Sequence, residues 1–208
     1  MPSGYLRSEA DVPSRSPVWY FGEEVVAEGS RPGYSLLMVE GMSARSKVLA
    51  GGERQITAIH IAGDFVDLHC FLLKRMDHSV VALTPCRLVM AEHEAIRKLM
   101  RASDHLTRLL WLTTVIDGAV HREWLVAMGQ MSAYAHMAHV FCEMFVRLRI
   151  VGLTTDLSYR LPITQIEMGD VLGLSSVHVN RTLQELRASG LLTWDRQIVT
   201  INIGMGLS

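Results

Sequence analysis

The stretch from Leu161 to Trp194, LPITQIEMGDVLGLSSVHVNRTLQELRASGLLTW, constrains the fold more than any other part of the chain. Thr164-Gln165-Ile166-Glu167 has capping-box spacing: the Thr164 hydroxyl can accept from the amide three residues on, while Glu167 reaches back to the Thr164 amide. Gly173 stops this helix after Leu172, because glycine turns the backbone there without a Cβ penalty. Ser175 offers a hydroxyl to the free amides of a second helix, which runs to about Ser189 with Gly190 at its C-terminal end. A short helix, a glycine turn and a second capped helix form a helix-turn-helix.

The second helix has two faces. Val179, Leu183 and Leu186 follow i, i+4, i+7 spacing and point into a core. Val177, Asn180, Arg181 and Gln184 lie on the opposite side, with Ser176 beside them. These groups suit base edges: Arg bonds guanine O6 and N7, Asn or Gln bonds adenine, and Val touches a thymine methyl. An ordinary solvated polar face is the alternative for this pattern alone. The segment C-terminal to the helix pair argues against it, since Leu191–Trp194, Asp195-Arg196-Gln197 and Ile198–Ile203 read as a β-hairpin.

A helix-turn-helix leading at once into a two-stranded wing resembles the C-terminal domain of the catabolite activator protein and Fnr (Crp/Fnr) superfamily of bacterial transcription regulators. The resemblance is carried by Leu161-Pro162-Ile163-Thr164, Leu172-Gly173-Leu174-Ser175, Val179, Asn180-Arg181, Leu183, Leu186 and Gly190-Leu191-Leu192. It implies a homodimer whose second helices, Ser175–Ser189, enter successive major grooves and read an inverted repeat. Many members carry an acidic residue where Val177 stands, so the resemblance implies a different operator at that base pair.

At 208 residues the chain can bury two small cores. No charge-free run reaches the ~20 residues of a membrane span, and a secretory signal layout is absent from the N-terminus. Cys70, Cys86 and Cys142 are too widely spaced for a disulfide framework or a zinc motif, so a cytoplasmic protein is expected. The net charge of −1 excludes a general nucleic-acid coat. DNA affinity must then rest on helix N-termini, hydroxyls and a few aimed arginines.

Residues 1–17 hold three prolines and four serines and read as a flexible arm. Short apolar runs come next at Val25–Ala27, Ser35–Val39, Ser46–Leu49, Gln55–Ile61, Val80–Leu83 and Arg87–Ala91, separated by glycine-rich turns. Many short strands so punctuated predict a small barrel or sandwich. Glu28-Gly29, Glu40-Gly41, Gly52 and Gly63-Asp64-Phe65 resemble the turns of the double-stranded β-roll in cyclic-nucleotide-binding domains.

The effector-pocket candidates are Asp67, Leu68, His69, His78 and Ser79. Nucleotide-binding members carry Gly-Glu where this chain has Asp67-Leu68, and Arg-Ser where it has His78-Ser79. Both polar anchors are replaced, so cyclic AMP is not expected to bind in the family's manner. The haem-bearing carbon-monoxide sensor of the superfamily has its ligand near His69, two residues after a cysteine. Here Asp67 takes the cysteine's place, and a lone His beside a turn is more often structural. Oxygen-sensing members use an N-terminal cysteine cluster, whereas Cys70 is the first cysteine here. No cofactor is expected.

His136 and His139 are one helical turn apart but lack a third ligand, and His60 lacks the His-x-His and Glu of a cupin metal site. No metal site is expected, and the absence of a triad or phosphate loop argues against an enzyme. Ser103–Met128 reads as one helix with an apolar stripe through Leu109, Leu112, Ile116, Val120, Trp124 and Ala127. In the resembled family this helix makes the dimer interface, which assigns Leu109, Leu112, Ile116 and Val120 to it. Gly129-Gln130 is the expected hinge, and Ser132 caps a helix from Ala133 to about Val151.

The expected fold class is α+β: an arm (1–17), a β-roll sensor (18–102), a dimerisation helix and hinge (103–129), and a winged helix-turn-helix (130–208). The expected partners are double-stranded DNA, a second copy and RNA polymerase, with no membrane. A rival reading is a haem- or metal-binding sensor or adaptor without operator binding.

Overall fold

The computed structural model describes residues 18–19 and 21–202. The expected arm at 1–17 and the last residue of the expected wing, Ile203, lie outside the described residues. In chain order the elements are β1 (Val18–Trp19), β2 (Glu24–Val26), β3 (Tyr34–Glu40), β4 (Ser43–Val48), β5 (Arg54–His60), α1 (Cys70–Leu73), β6 (Ser79–Ala82) and β7 (Cys86–Glu92). Next come α2 (His93–Ala102), α3 (Asp104–Gln130) and α4 (Ala133–Ile150). The C-terminal domain adds β8 (Thr154–Thr155), β9 (Ser158–Arg160), α5 (Gln165–Leu172), α6 (Ser176–Ala188), β10 (Leu192–Asp195) and β11 (Ile198–Ile201).

All six expected N-terminal strands form, with ends moved by one to three residues. Together with the two-residue β1 they pair antiparallel into two facing sheets, β1-β7-β3 and β2-β6-β4-β5. Leu36, Met38, Val80, Ala82 and Leu88 alternate inward from these strands and close a core with Cys70 and Met76. The roll is capped by α2, a helix not expected within the strand domain. Its inward residue Ile96 is buried, and Ser103, at φ −151°, separates α2 from α3. The Ser103 hydroxyl then accepts from the Leu106 amide at 3.3 Å, so one residue ends α2 and caps α3.

Spanning about 40 Å, α3 runs two residues past the expected end. The expected hinge at Gly129-Gln130 is therefore its last turn. Instead the break falls at Met131–Ser132, both extended, where the Ser132 hydroxyl caps α4 by accepting from Ala135.

The wing is also larger than expected. β10 and β11 join β9 and β8 in one four-stranded sheet, and buried Tyr159 of β9 donates to the Phe141 carbonyl at 2.7 Å. The wing turn has two residues rather than three, because Asp195 pairs with Ile198. Arg196 and Gln197 both take positive φ (46° and 69°), the backbone of a tight hairpin turn usually given to Asn-Gly.

A second core begins on the β2-β6-β4-β5 sheet at Ile56 and Ile59, passes through Trp124 and Phe141, and ends in the C-terminal domain at Leu172, Leu183 and Val199. The β-roll and the C-terminal domain are thus packed together on one apolar cluster.

Candidate nucleic-acid interface and sensor cavity

The capping box forms as its spacing requires. Thr164 Oγ1 accepts from the Glu167 amide at 3.1 Å, and Glu167 Oε2 accepts from the Thr164 amide at 2.6 Å. Gly173 closes α5 at φ +67°. Gly169, which nothing in the sequence pattern singled out, is buried where α5 meets the turn. A Cβ there would lie 2.6 Å from the Leu174 carbonyl oxygen, so this close approach depends on glycine. Ser175 caps α6 by accepting from the His178 amide at 3.4 Å.

Val179, Leu183 and Leu186 are buried as expected, together with Thr182. Ser176, Val177, Asn180, Arg181 and Gln184 are all exposed, and Val177, at 79% exposure, is a large apolar side chain facing solvent. The face is pre-arranged by polar contacts. Arg181 Nη2 lies 2.9 Å from His178 Nε2, which must accept because guanidinium only donates. Asn180 donates to Gln165 Oε1 at 3.4 Å, joining the two helices. Behind this face, Arg187 donates to the Trp194 carbonyl and fixes α6 to the wing. Arg160 donates to Gln197 Oε1 at 3.1 Å and steadies the turn that presents exposed Arg196.

The effector-pocket candidates divide. Leu68 and His69 line a cavity of about 190 Å³ between β5 and α3, shared with His60, Asp64, Ile116 and His121. Asp67 does not face it. Its carboxylate is buried and accepts from the Leu36 amide at 2.6 Å, and burial raises its pKa to about 6. Neither Ser79 nor His78 lines the cavity. Ser79 Oγ accepts from the Glu28 amide at 3.0 Å, while the His78 ring lies against that of His69 at 4.8 Å. Burial, and then the charge of Arg45, lower the His78 pKa to about 4. The permanent cations at this cavity are Arg45 and Arg147, neither of them among the expected site residues. Arg45 pairs with Asp117 of α3 at 2.8 Å, and Arg147 of α4 pairs with Asp64 at 2.6 Å. Both span elements far apart in sequence, so periodicity gave no sign of them.

The expected dimer stripe also divides. Leu109, Leu112 and Ile116 are exposed, but Val120 is half-buried against its own chain, and Trp124 and Ala127 are fully buried there. The exposed apolar face lies further round α3 and adds Trp111, Val115 and Val126.

A capped helix pair with a wing, an outward set of side chains of the types that suit base edges and a β-roll packed on the same core define a DNA-binding transcription regulator. The sequence matches the family models for a cyclic nucleotide-binding domain over residues 20–103 and a Crp-like helix-turn-helix domain over residues 135–204. The chain belongs to the Crp/Fnr superfamily. It is similar to the transcriptional activator protein FnrL of Cereibacter sphaeroides, at 22% identity over 174 residues, covering 82% of this chain and 69% of that one. Similarity to the nitrogen fixation regulation protein FixK of Azorhizobium caulinodans is 24% over 173 residues, covering 83% and 67%. The solved structure of FixK2 from Bradyrhizobium japonicum shares the fold at a TM-score of 0.80 and 23% identity, covering 89% of this chain and 90% of that one.

Proposed function

We propose that the protein acts in the cytoplasm as a homodimer that reads an inverted repeat, with one α6 in each of two successive major grooves. The observation that carries this reading is the outward face of α6, where Ser176, Val177, Asn180, Arg181 and Gln184 stand clear of the core. Arg181 and Asn180 read bases, Val177 meets a thymine methyl, and Ser176 and Gln184 complete the set. Exposed Arg196 at the wing tip meets phosphate, which sets register without adding sequence information. Dimerisation uses the exposed apolar face of α3 through Leu109, Leu112, Val115 and Ile116. RNA polymerase is the further partner in this reading.

The signal enters at the β-roll. Cyclic nucleotide is not that signal in this reading, because Leu68 offers no carboxylate to a ribose and Arg45 is held by Asp117. Selection of binding sites from random duplexes tests the reading. Two half-sites in inverted order, with centres about 34 Å apart, are expected. Recovery of an unpaired half-site, or of no preferred sequence, would overturn it.

A further inference from the structure

We propose that His69, Asp77 and His78 form a binding site for a divalent transition-metal ion of the zinc class. One ligand atom from each residue falls within a group whose members all lie within 4.8 Å of one another. Asp77 Oδ1 is 2.8 Å from His78 Nδ1 and 3.6 Å from His69 Nε2. In a tetrahedral zinc site the ligand atoms sit roughly 3.3 Å apart, so a modest side-chain adjustment brings the three onto one ion. Two imidazoles and a carboxylate are the donor types that such ions prefer, and they leave a fourth position for water.

A second observation points to a ligand. Nε2 of His69, the ring atom that faces Asp77, is buried without a hydrogen-bond partner. A buried ring nitrogen left unpaired carries its full desolvation cost, so such atoms normally find a partner. Asp77 is exposed and gives the ion a path from solvent. Two cations oppose binding, and both are already engaged. Arg45 is paired with Asp117 at 2.8 Å, and Lys47 is paired with Glu28 while also donating to the Asp77 carbonyl. The sequence spacing shows none of this, because His69 precedes α1 while Asp77 and His78 lead into β6. The turn between them makes the cluster.

The site is tested on the full chain without an affinity tag, stripped with chelator and titrated with Co2+ by absorption and with Zn2+ by calorimetry. One ion per chain is expected, at micromolar dissociation constant or tighter, with tetrahedral cobalt bands. Asp77→Asn removes an exposed ligand without touching the core. It should weaken binding by roughly tenfold or more while circular dichroism stays unchanged. His69→Ala should abolish the cobalt bands. The double variant His136→Ala/His139→Ala should bind as the wild type does. Absence of saturable uptake would overturn the proposal, as water or another small molecule would then satisfy the His69 nitrogen. Retention of wild-type binding in both Asp77→Asn and His69→Ala would overturn it too, as would loss of binding in the helix variant. None of these readouts involves DNA, so the site stands or falls apart from the operator reading.

Discussion

Arg54 of β5 and Asp170 of α5 form an ion pair at 2.6 Å that joins the sheet of the β-roll to the first helix of the helix-turn-helix. The adjacent Gln55 extends the seam by donating from one amide nitrogen to the Asp170 carbonyl at 2.8 Å and to that of Val171 at 3.1 Å. The ion pair is partly solvated, which limits its contribution to stability to about 1 kcal/mol or less. Asp170→Asn should therefore leave the melting temperature nearly unchanged yet speed amide exchange in α5, because the end of that helix loses a fixed neighbour. Exchange in α5 identical to wild type would show that the apolar core alone holds the seam.

Arg181→Ala should lower specific operator affinity by about 1–3 kcal/mol and relax selectivity at one base pair, because a bidentate guanine contact is lost. Its contacts in the free protein are with half-buried His178 and exposed Glu185 on its own helix, outside the core, so thermal stability should hold. Unchanged discrimination in a competition shift assay would remove Arg181 from the reading face.

The exposed side of α3 is tested best at Leu112, since neighbouring Ile116 also lines the sensor cavity. Leu112→Asp would place an unpaired carboxylate from each subunit in the interface, a change that costs several kcal/mol when buried. Sedimentation should show a folded monomer, and operator affinity should fall to that of a single α6. A dimer that persists with full affinity would move the interface off this face.

Gly169→Ala sets two effects against each other. Replacing glycine inside a helix ordinarily gains up to about 1 kcal/mol. Here the added methyl meets a backbone oxygen at 2.6 Å, and forcing atoms into a filled core typically costs about 1–3 kcal/mol. Net destabilisation is expected, with weaker operator binding as α6 tilts on α5. A higher melting temperature would show that the turn can yield.

His136 predicts a dependence on acidity. Its ring is buried in α4, and burial, reinforced by the charge of His139, lowers its pKa below the usual histidine value. The unfolded chain then takes the proton first. Stability from the neutral ring is present above about pH 6.5 and is lost as pH falls toward the lower folded value. Other buried histidines titrate in the same sense, so the measurement is the difference between chains. Melting temperature should fall less steeply in His136→Gln than in wild type between neutral pH and about pH 5. Parallel curves would assign the slope elsewhere.

How far the fold could be read in the sequence depended on how local its signals were. Thr164, Glu167, Gly173 and Ser175 act within one turn of backbone, and each capping role was legible. The strands of the roll were legible because glycine turns bound them. The α2 helix was missed because it continues directly from β7, with Glu92 as its N-cap and no side-chain capping bond to mark the start. That Val120 packs partly on its own domain was not legible for another reason. A 27-residue helix that is apolar on two sides shows a stripe, but its period does not say which side meets its own domain. Leu68 and His69, which line the cavity, were singled out by the resemblance, whereas Arg45 and Asp117, which also line it, and Asp77 beside His78 were not. Their partners come from other elements, and no spacing along the chain encodes that meeting.

The apolar cluster that runs from Ile56 and Ile59 through Trp124 into Leu172 bears on how such regulators can be recombined. A graft that joined this reader domain to a foreign sensor at Met131–Ser132 would strip the outer sheet from Leu172 and leave Asp170 without Arg54. The inherited unit is therefore larger than the winged domain. Substitutions on β5 and α5 are bound to be selected as pairs, and a working chimera must carry the β5 surface along with the helices it touches.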